Sequence, residues 1–232
     1  MYNFQGISPK ALNLLAQNRY MDSKPFYEEH KEELKQTATV PLRKLMVDMS
    51  ETLLDLDEEM YVNPVYSVSR IRRDTRYTKD KTLYRENLWV HFRRNKKIYP
   101  NCPSLWFEFW PGGYAYGLGF FPYKPAFMDS FRSLLDSDAD AFLKALEPLE
   151  KIGMVFTGEQ YKKNRAPQDA GKLKEFYNAK YICFIHNSND LKKLNSEKIV
   201  DELKEMVKAA EPMYRFLFTA YDNVIKGEME NA

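Results

Sequence analysis

Apolar residues recur every third or fourth position through roughly the first 60 residues and every second position from Val65, so helices are expected to precede a sheet. Ser8-Pro9 is an N-cap followed by proline at the first helical position, opening a helix that carries Leu12, Leu14 and Leu15 inward. A second helix is expected from near Ser23, with Pro25 in its first turn. Pro41 opens a third, in which Leu42, Leu45, Met46, Met49 and Leu53 share one face.

The sheet is expected from Val65, where β-branched and aromatic residues become frequent. Leu88, Val90 and Phe92 alternate with Trp89, His91 and Arg93; Leu105, Phe107 and Phe109 alternate with Trp106, Glu108 and Trp110. Pro111-Gly112-Gly113 then supplies a tight turn into Tyr114 to Phe121, predicting a hairpin. Helical spacing returns after Pro125 with Phe127, Met128, Phe131, Leu134 and Leu135, and again from Asp138 with Phe142, Ala145, Leu146 and Leu149. Gly153 to Tyr161 and Tyr181 to His186 read as short strands. Ser196 reads as the N-cap of a helix with Ile199, Leu203 and Met206, and Pro212 as the start of a final apolar helix through Tyr214, Phe218 and Tyr221. The fold class expected is α+β: a mostly antiparallel sheet packed against helical layers from the N- and C-terminal parts. With no repeat, low-complexity stretch or linker, residues 1–232 read as one domain: helical over 1–60, sheet and basic segment over 61–124, helical with short strands over 125–232.

Composition narrows the class. A hydrophobic fraction of 44% with 29% charged residues fits a folded globule and excludes a disordered chain. Met1 to Ser8 has neither a basic nor an apolar leader region, and the apolar runs are too short to cross a bilayer, so a cytoplasmic protein without membrane contact is expected. Cys102 and Cys183 make neither a disulfide framework nor a zinc spacing. His30, His91 and His186 stand at no metal-binding spacing, and no phosphate-loop, dinucleotide or nucleophile-elbow motif occurs, so neither a metal nor a cofactor is expected.

The net charge of +2 hides an uneven distribution. From Arg70 to Lys97 eleven Lys and Arg face only Asp74, Asp80 and Glu86, a local balance of +8 that leaves −6 for the rest. Within this window the run Arg70-Ile-Arg-Arg-Asp-Thr-Arg-Tyr-Thr-Lys-Asp-Lys-Thr-Leu-Tyr-Arg85 alternates charge with tyrosine and threonine too irregularly for one helix, and reads as a shaped loop. Arginine offers a planar fork of donors matched to carboxylate and phosphate oxygens, and lysine adds point charge. The plainer reading is a solvated loop pinned by its own ion pairs, each contributing about 0–1 kcal/mol.

The pattern Arg-Ile-x-Arg-Asp-Thr-Arg-Tyr-Thr-Lys-Asp-Lys-Thr-x-Tyr-Arg resembles the signature of a bacterial family, domain of unknown function 2461. The order of parts is similar too: N-terminal helices, basic motif, strands, a proline-led helix at Pro125 and a helical C-terminal part. The departure is Leu83, where that family has proline. The resemblance implies the fold and the importance of Arg70, Arg73, Asp74, Arg76, Lys79, Asp80, Lys81 and Tyr84, and assigns them no chemistry.

Three functions are expected as alternatives. The first is a pocket, for binding or turnover of a phosphate-bearing or other anionic small molecule. Arg70, Arg73, Arg76, Lys79, Lys81 and Arg85 would donate, Asp74 and Asp80 orient, Tyr84 form a wall, and Trp89 and His91 adjoin on the following strand. The second is a nucleic-acid-binding module that adds exposed aromatics such as Trp106, Trp110 or Tyr116. The third is an ion-pair network with no ligand, locking the loop to acidic helices near Glu28 to Glu33 or Asp55 to Glu59. Glu108 is a further candidate, either as an acid or base or as the partner of a nearby strand cation.

Overall fold

The structure is a computed structural model that describes residues 1–122 and 124–230, with side chains described in the last helix as far as Gly227. Tyr123, one of the aromatic residues after the hairpin, lies outside the described residues. In chain order the elements are α1 (Pro9–Met21), α2 (Lys24–Leu34), α3 (Val40–Leu56), β1 (Leu88–Phe92), β2 (Ser104–Trp110), β3 (Gly113–Phe120), α4 (Pro125–Ser137), α5 (Ala139–Lys151), β4 (Val155–Phe156), α6 (Lys174–Tyr177), β5 (Ile182–Ser188), α7 (Leu191–Leu194) and α8 (Lys198–Glu230). The fold is α+β, with the strands in one antiparallel sheet of order β1-β2-β3-β5-β4. The chain divides into two compact units, one of Met1–Phe92, Trp106–Tyr116 and Asn187–Glu205, the other of Arg93–Leu105, Gly117–His186 and the chain from Met206 onward.

In the first unit the Ser8 hydroxyl accepts the Ala11 N–H at 3.2 Å, and Pro9 occupies the first turn of α1. The second and third helices are not separated by a loop. A π-helical turn, Lys35–Thr39, joins them, and the Val40 N–H reaches back to the Lys35 carbonyl. Pro41 has no N–H to give, and the wider turn carries the helical path past it. Leu42, Leu45, Met46, Met49 and Leu53 are fully buried along one face of α3, and Leu88, Val90 and Phe92 alternate inward on β1. The sheet begins at Leu88 rather than Val65. Residues 65–87 are rich in Arg, Asp, Thr and Ser, whose side chains compete with the ladder for backbone groups.

In the second unit aromatic rings make the core. Phe142, fully buried on α5, packs edge-on against Phe176 at 4.7 Å and Phe216 at 5.4 Å, and Phe127 stacks on Tyr221 at 5.1 Å. β4 pairs with β5 in the register Val155↔Ile185 and Phe156↔Phe184. The two helices expected on either side of Pro212 are one helix, α8, with the proline inside it. The proline removes a single backbone bond, and the buried face continues across it through Met206, Val207, Ala210, Met213, Tyr214 and Leu217. Ser196 does not open this helix; its hydroxyl donates to the Lys193 carbonyl at 2.9 Å.

Candidate functional site

Within the first unit the segment from Ser67 to His91 doubles back as an irregular hairpin. Ser69 N–H donates to the Trp89 carbonyl at 2.9 Å, Arg85 N–H to Ile71 at 2.9 Å and Arg73 N–H to Leu83 at 2.8 Å. Alternation along the two arms buries Ile71 and Tyr84 and turns Arg70 and Arg72 outward. The tip, residues 74–82, is closed by side chains instead of ladder bonds. Asp74 takes a forked pair from Arg76, Nε at 2.9 Å and Nη2 at 2.7 Å, and Lys81 Nζ donates to the Thr75 carbonyl at 2.9 Å.

The last turn of α1 grips the returning arm. Asp22 caps the helix in a left-handed conformation, φ 42°, and its Oδ1 accepts the N–H groups of Leu83 at 2.7 Å and Tyr84 at 3.2 Å. Arg19 Nη1 donates to the Tyr84 carbonyl at 3.3 Å, and the Tyr84 ring stacks on Tyr27 at 4.7 Å. Leu83 thus uses the N–H that a proline at this position would lack.

Between helix end and hairpin lies a cleft of about 220 Å³ lined by Arg19, Arg73, Asp80 and Tyr84, continuing to Arg85, Glu86 and Asn87. Arg73, its side chain 17% exposed, donates Nη1 to both Asp80 Oδ2 and the Thr82 hydroxyl. Arg19 Nη2 reaches the same Asp80 oxygen at 3.3 Å. Asp80 Oδ1 accepts the Thr82 N–H at 3.0 Å and the Thr82 hydroxyl at 2.7 Å. The N–H and hydroxyl of Thr82, followed by Arg73, hold the Asp80 carboxyl well below the usual carboxylate range. At the tip the hydrogen bonds from Arg76 lower Asp74 to about 2.

Arg85 is placed differently. Its guanidinium lies 4.5 Å from the centroid of the Trp89 ring, and among the described residues no carboxylate comes within ion-pairing distance of it. Burial, then the like charges of Arg73 and Arg70, push its pKa down, with Glu108 opposing. Asn87 beside it donates its side-chain amide to Glu108 Oε1. Glu108 therefore meets an amide, where a strand cation was the expected partner.

Of the residues named from sequence, Arg73, Asp80, Tyr84 and Arg85 line the cleft. Arg70, Asp74, Arg76, Lys79 and Lys81 lie exposed on the hairpin, Trp89 lies under Arg85, and His91 follows on β1 with its ring 6.3 Å edge-on from Trp89. Among the described residues the ion pairs of the Lys and Arg side chains of 70–85 run to Asp74 and Asp80, where Arg19 joins them, and none of these cations pairs with Glu28–Glu33 or Asp55–Glu59. Arg19, Asp22 and Asn87 were missed from sequence. Asp22 lies 61 positions before Leu83, and no local pattern links the end of a helix to so distant an arm.

Of the aromatics named for a stacking platform, Tyr116 is 3% exposed on a strand buried along its length, while Trp106 and Trp110 are half-buried. Among the described residues no cluster of three or more His, Cys, Asp or Glu side chains is placed to hold a metal, and no helix is long and apolar enough to cross a membrane. A second hollow of about 380 Å³ in the other unit is lined by exposed Lys172, Lys174 and Glu175 with Gln160 and Asn178. Its cations are exposed lysines, mobile point charges that fix no ligand geometry.

A family model described as "Conserved hypothetical protein (DUF2461)" matches residues 10–216. No curated protein matches the chain. Among solved structures, the crystal structure of an uncharacterized protein from Methanothermobacter thermautotrophicus is similar at 11% identity and a TM-score of 0.32, covering 74% of this chain and 96% of that one.

Proposed function

The chain belongs to the DUF2461 family of conserved hypothetical proteins, and we propose that its cleft binds a small phosphate- or carboxylate-bearing anion, with Arg85 as the principal donor and the Asn87 amide beside it. The observation that carries this reading is the half-buried Arg85 guanidinium, backed by Trp89 and lacking a carboxylate partner among the described residues. Withdrawing a cation from water is costly unless an anion compensates it, and the guanidinium fork suits two oxygens of one phosphate or carboxylate. A volume near 220 Å³ lies below the range of about 300–1,000 Å³ that encloses drug-sized ligands, so the ligand is a headgroup such as inorganic phosphate or a small phosphomonoester, not a whole nucleotide. Cys102 and Cys183 are buried and not joined in a disulfide, which fits a reducing cytoplasm.

Isothermal titration with inorganic phosphate tests the reading. The wild type is expected to bind one equivalent and Arg85→Ala to bind at least about tenfold more weakly, the effect of losing about 1.4 kcal/mol of charged hydrogen bonding. Equal binding by Arg85→Ala would remove Arg85 from the site.

A second reading rests on a different observation. Tyr77 is 90% exposed at the hairpin tip with the Arg76 guanidinium 5.5 Å from its ring centroid, and Arg70, Arg72 and Lys79 are exposed without ion-pair partners among the described residues. An exposed ring among cations is what single-stranded nucleic acid stacks upon. On this reading oligonucleotide affinity falls steeply with salt and drops in Tyr77→Ala, whereas phosphate binding in the cleft does not depend on Tyr77.

A further inference from the structure

The donors around Asp80 form an anion cradle that the chain fills with its own carboxylate. Arg73 Nη1 and Arg19 Nη2 converge on Asp80 Oδ2, while Thr82 offers its N–H at 3.0 Å and its hydroxyl at 2.7 Å to Oδ1. Two guanidinium donors, a main-chain N–H and a hydroxyl are the groups that would hold a free carboxylate or phosphate. We infer that Asp80 acts as an internal competitor in this cleft, surrendering Arg73 and Arg19 to an incoming phosphate and thereby setting which anions bind. The inference rests on the reading of the cleft as an anion site.

Two features of the hairpin separate this from a permanent structural pair. The first is the contrast between the partners: the Arg73 side chain is 17% exposed and its own N–H is tied to the Leu83 carbonyl at 2.8 Å, whereas Asp80 is 47% exposed. The arginine is built into the hairpin arm and the carboxylate is not. The second is where Asp80 stands. Its neighbours from Arg76 to Lys81 are all exposed, and the contacts that hold the tip are polar, so little buried surface is lost when the tip swings away. Arg73, less exposed, stays in place and requires an anion in either state. Exchange of one carboxylate for one ligand keeps that requirement met. A weak monoanion that offers no more than Asp80 gains nothing by the exchange, whereas a phosphate dianion gains a second charge opposite Arg19, Arg73 and Arg85 together.

The test compares inorganic phosphate with chloride at matched ionic strength, by thermal shift and calorimetry, on wild type, Asp80→Asn, Asp80→Asn/Arg73→Gln and Arg85→Ala. Asp80→Asn keeps the shape of the tip and removes the competing charge. It is expected to bind phosphate about tenfold more tightly than wild type and to gain more in melting temperature, since a competitor no longer reduces the binding-competent fraction. The added Arg73→Gln change is expected to abolish that gain. Phosphate binding that is equal or weaker in Asp80→Asn, while wild type binds in an Arg85-dependent way, would overturn the competitor and leave the cleft reading standing. Tighter binding in Asp80→Asn that Arg85→Ala does not affect would support the competitor and remove Arg85. No response in any variant would overturn both. Asp80→Ala titrated with sodium formate asks the same question with an ion that replaces the deleted carboxylate: a larger rise in melting temperature than wild type supports the exchange, and an equal rise overturns it.

Discussion

Asp22 at the end of α1 accepts the Leu83 N–H at 2.7 Å, joining a helix terminus to a hairpin arm 61 positions further along the chain. The same oxygen takes the Tyr84 N–H at 3.2 Å, and with Arg19 on the Tyr84 carbonyl it sets the distance between the two walls of the cleft. Asp22→Ala is expected to cost about 1–2 kcal/mol, the loss of a charged acceptor from two backbone donors in a half-exposed place. Leu83→Pro removes one donor and spares the other, and is expected to cost less than Asp22→Ala. Urea midpoints of the three proteins check the order; a costlier Leu83→Pro would show that the Asp22 bond to Tyr84 does not carry the contact.

The acid limb of stability is expected to pass through the hairpin tip. Asp74 and Asp80 are both lowered, Asp74 to about 2 by Arg76 and Asp80 by Thr82 and Arg73. A carboxyl lowered in the folded state stabilises above its unfolded pKa of about 3.9, and the contribution is lost as pH falls through the folded value. Asp80→Asn should therefore melt below wild type at pH 7, and the gap should close as pH falls from about 4 towards 2. Melting curves across that range decide it, and a gap that stays constant down to pH 2 would mean that the Asp80 charge contributes nothing.

At alkaline pH the first unit is expected to weaken through Tyr114. The ring is 1% exposed, its hydroxyl donates to Glu202 Oε2 at 3.0 Å, and Lys193 Nζ pairs with the same oxygen at 3.0 Å. Burial, with the Glu202 charge adding to it, pushes the phenol up to about 12. A group raised in the folded state stabilises below its unfolded pKa of about 10 and loses that contribution as pH rises through the folded value. Tyr114→Phe is expected to cost about 1 kcal/mol at pH 7 and to flatten the decline above pH 10. Unfolding midpoints at pH 7 and between pH 8 and 11 measure both. An unchanged alkaline slope in Tyr114→Phe would assign the decline to other tyrosines.

The helical face of α3 and the alternation of Leu88, Val90 and Phe92 were legible because each repeats within one element, and burial follows the repeat. Pro41 stands in the first turn of α3 as expected, although a π-turn rather than a loop leads into it; Pro212 misled because proline marks a helix boundary only where nothing carries the path onward, and there a continuous buried face does so. The basic run named the hairpin that forms one wall of the cleft, and the charges of Arg73, Asp80 and Arg85 were on view. What could not be read was which cation is spent. Arg76 and Lys81 close the tip, Arg73 and Arg19 share Asp80, and Arg85 is left to Trp89, a division made by tertiary distances rather than by residue type.

The most direct measurement follows the side-chain Nε–H resonances of the arginines by NMR during titration with inorganic phosphate at constant ionic strength. The expected result is a saturable shift at Arg85, with Arg73 and Arg19 moving on the same curve, while the exposed Arg70, Arg72 and Arg76 show only small, non-saturating drift. Saturation at Arg70, Arg72 or Arg76 with Arg85 unmoved would contradict the cleft as the anion site.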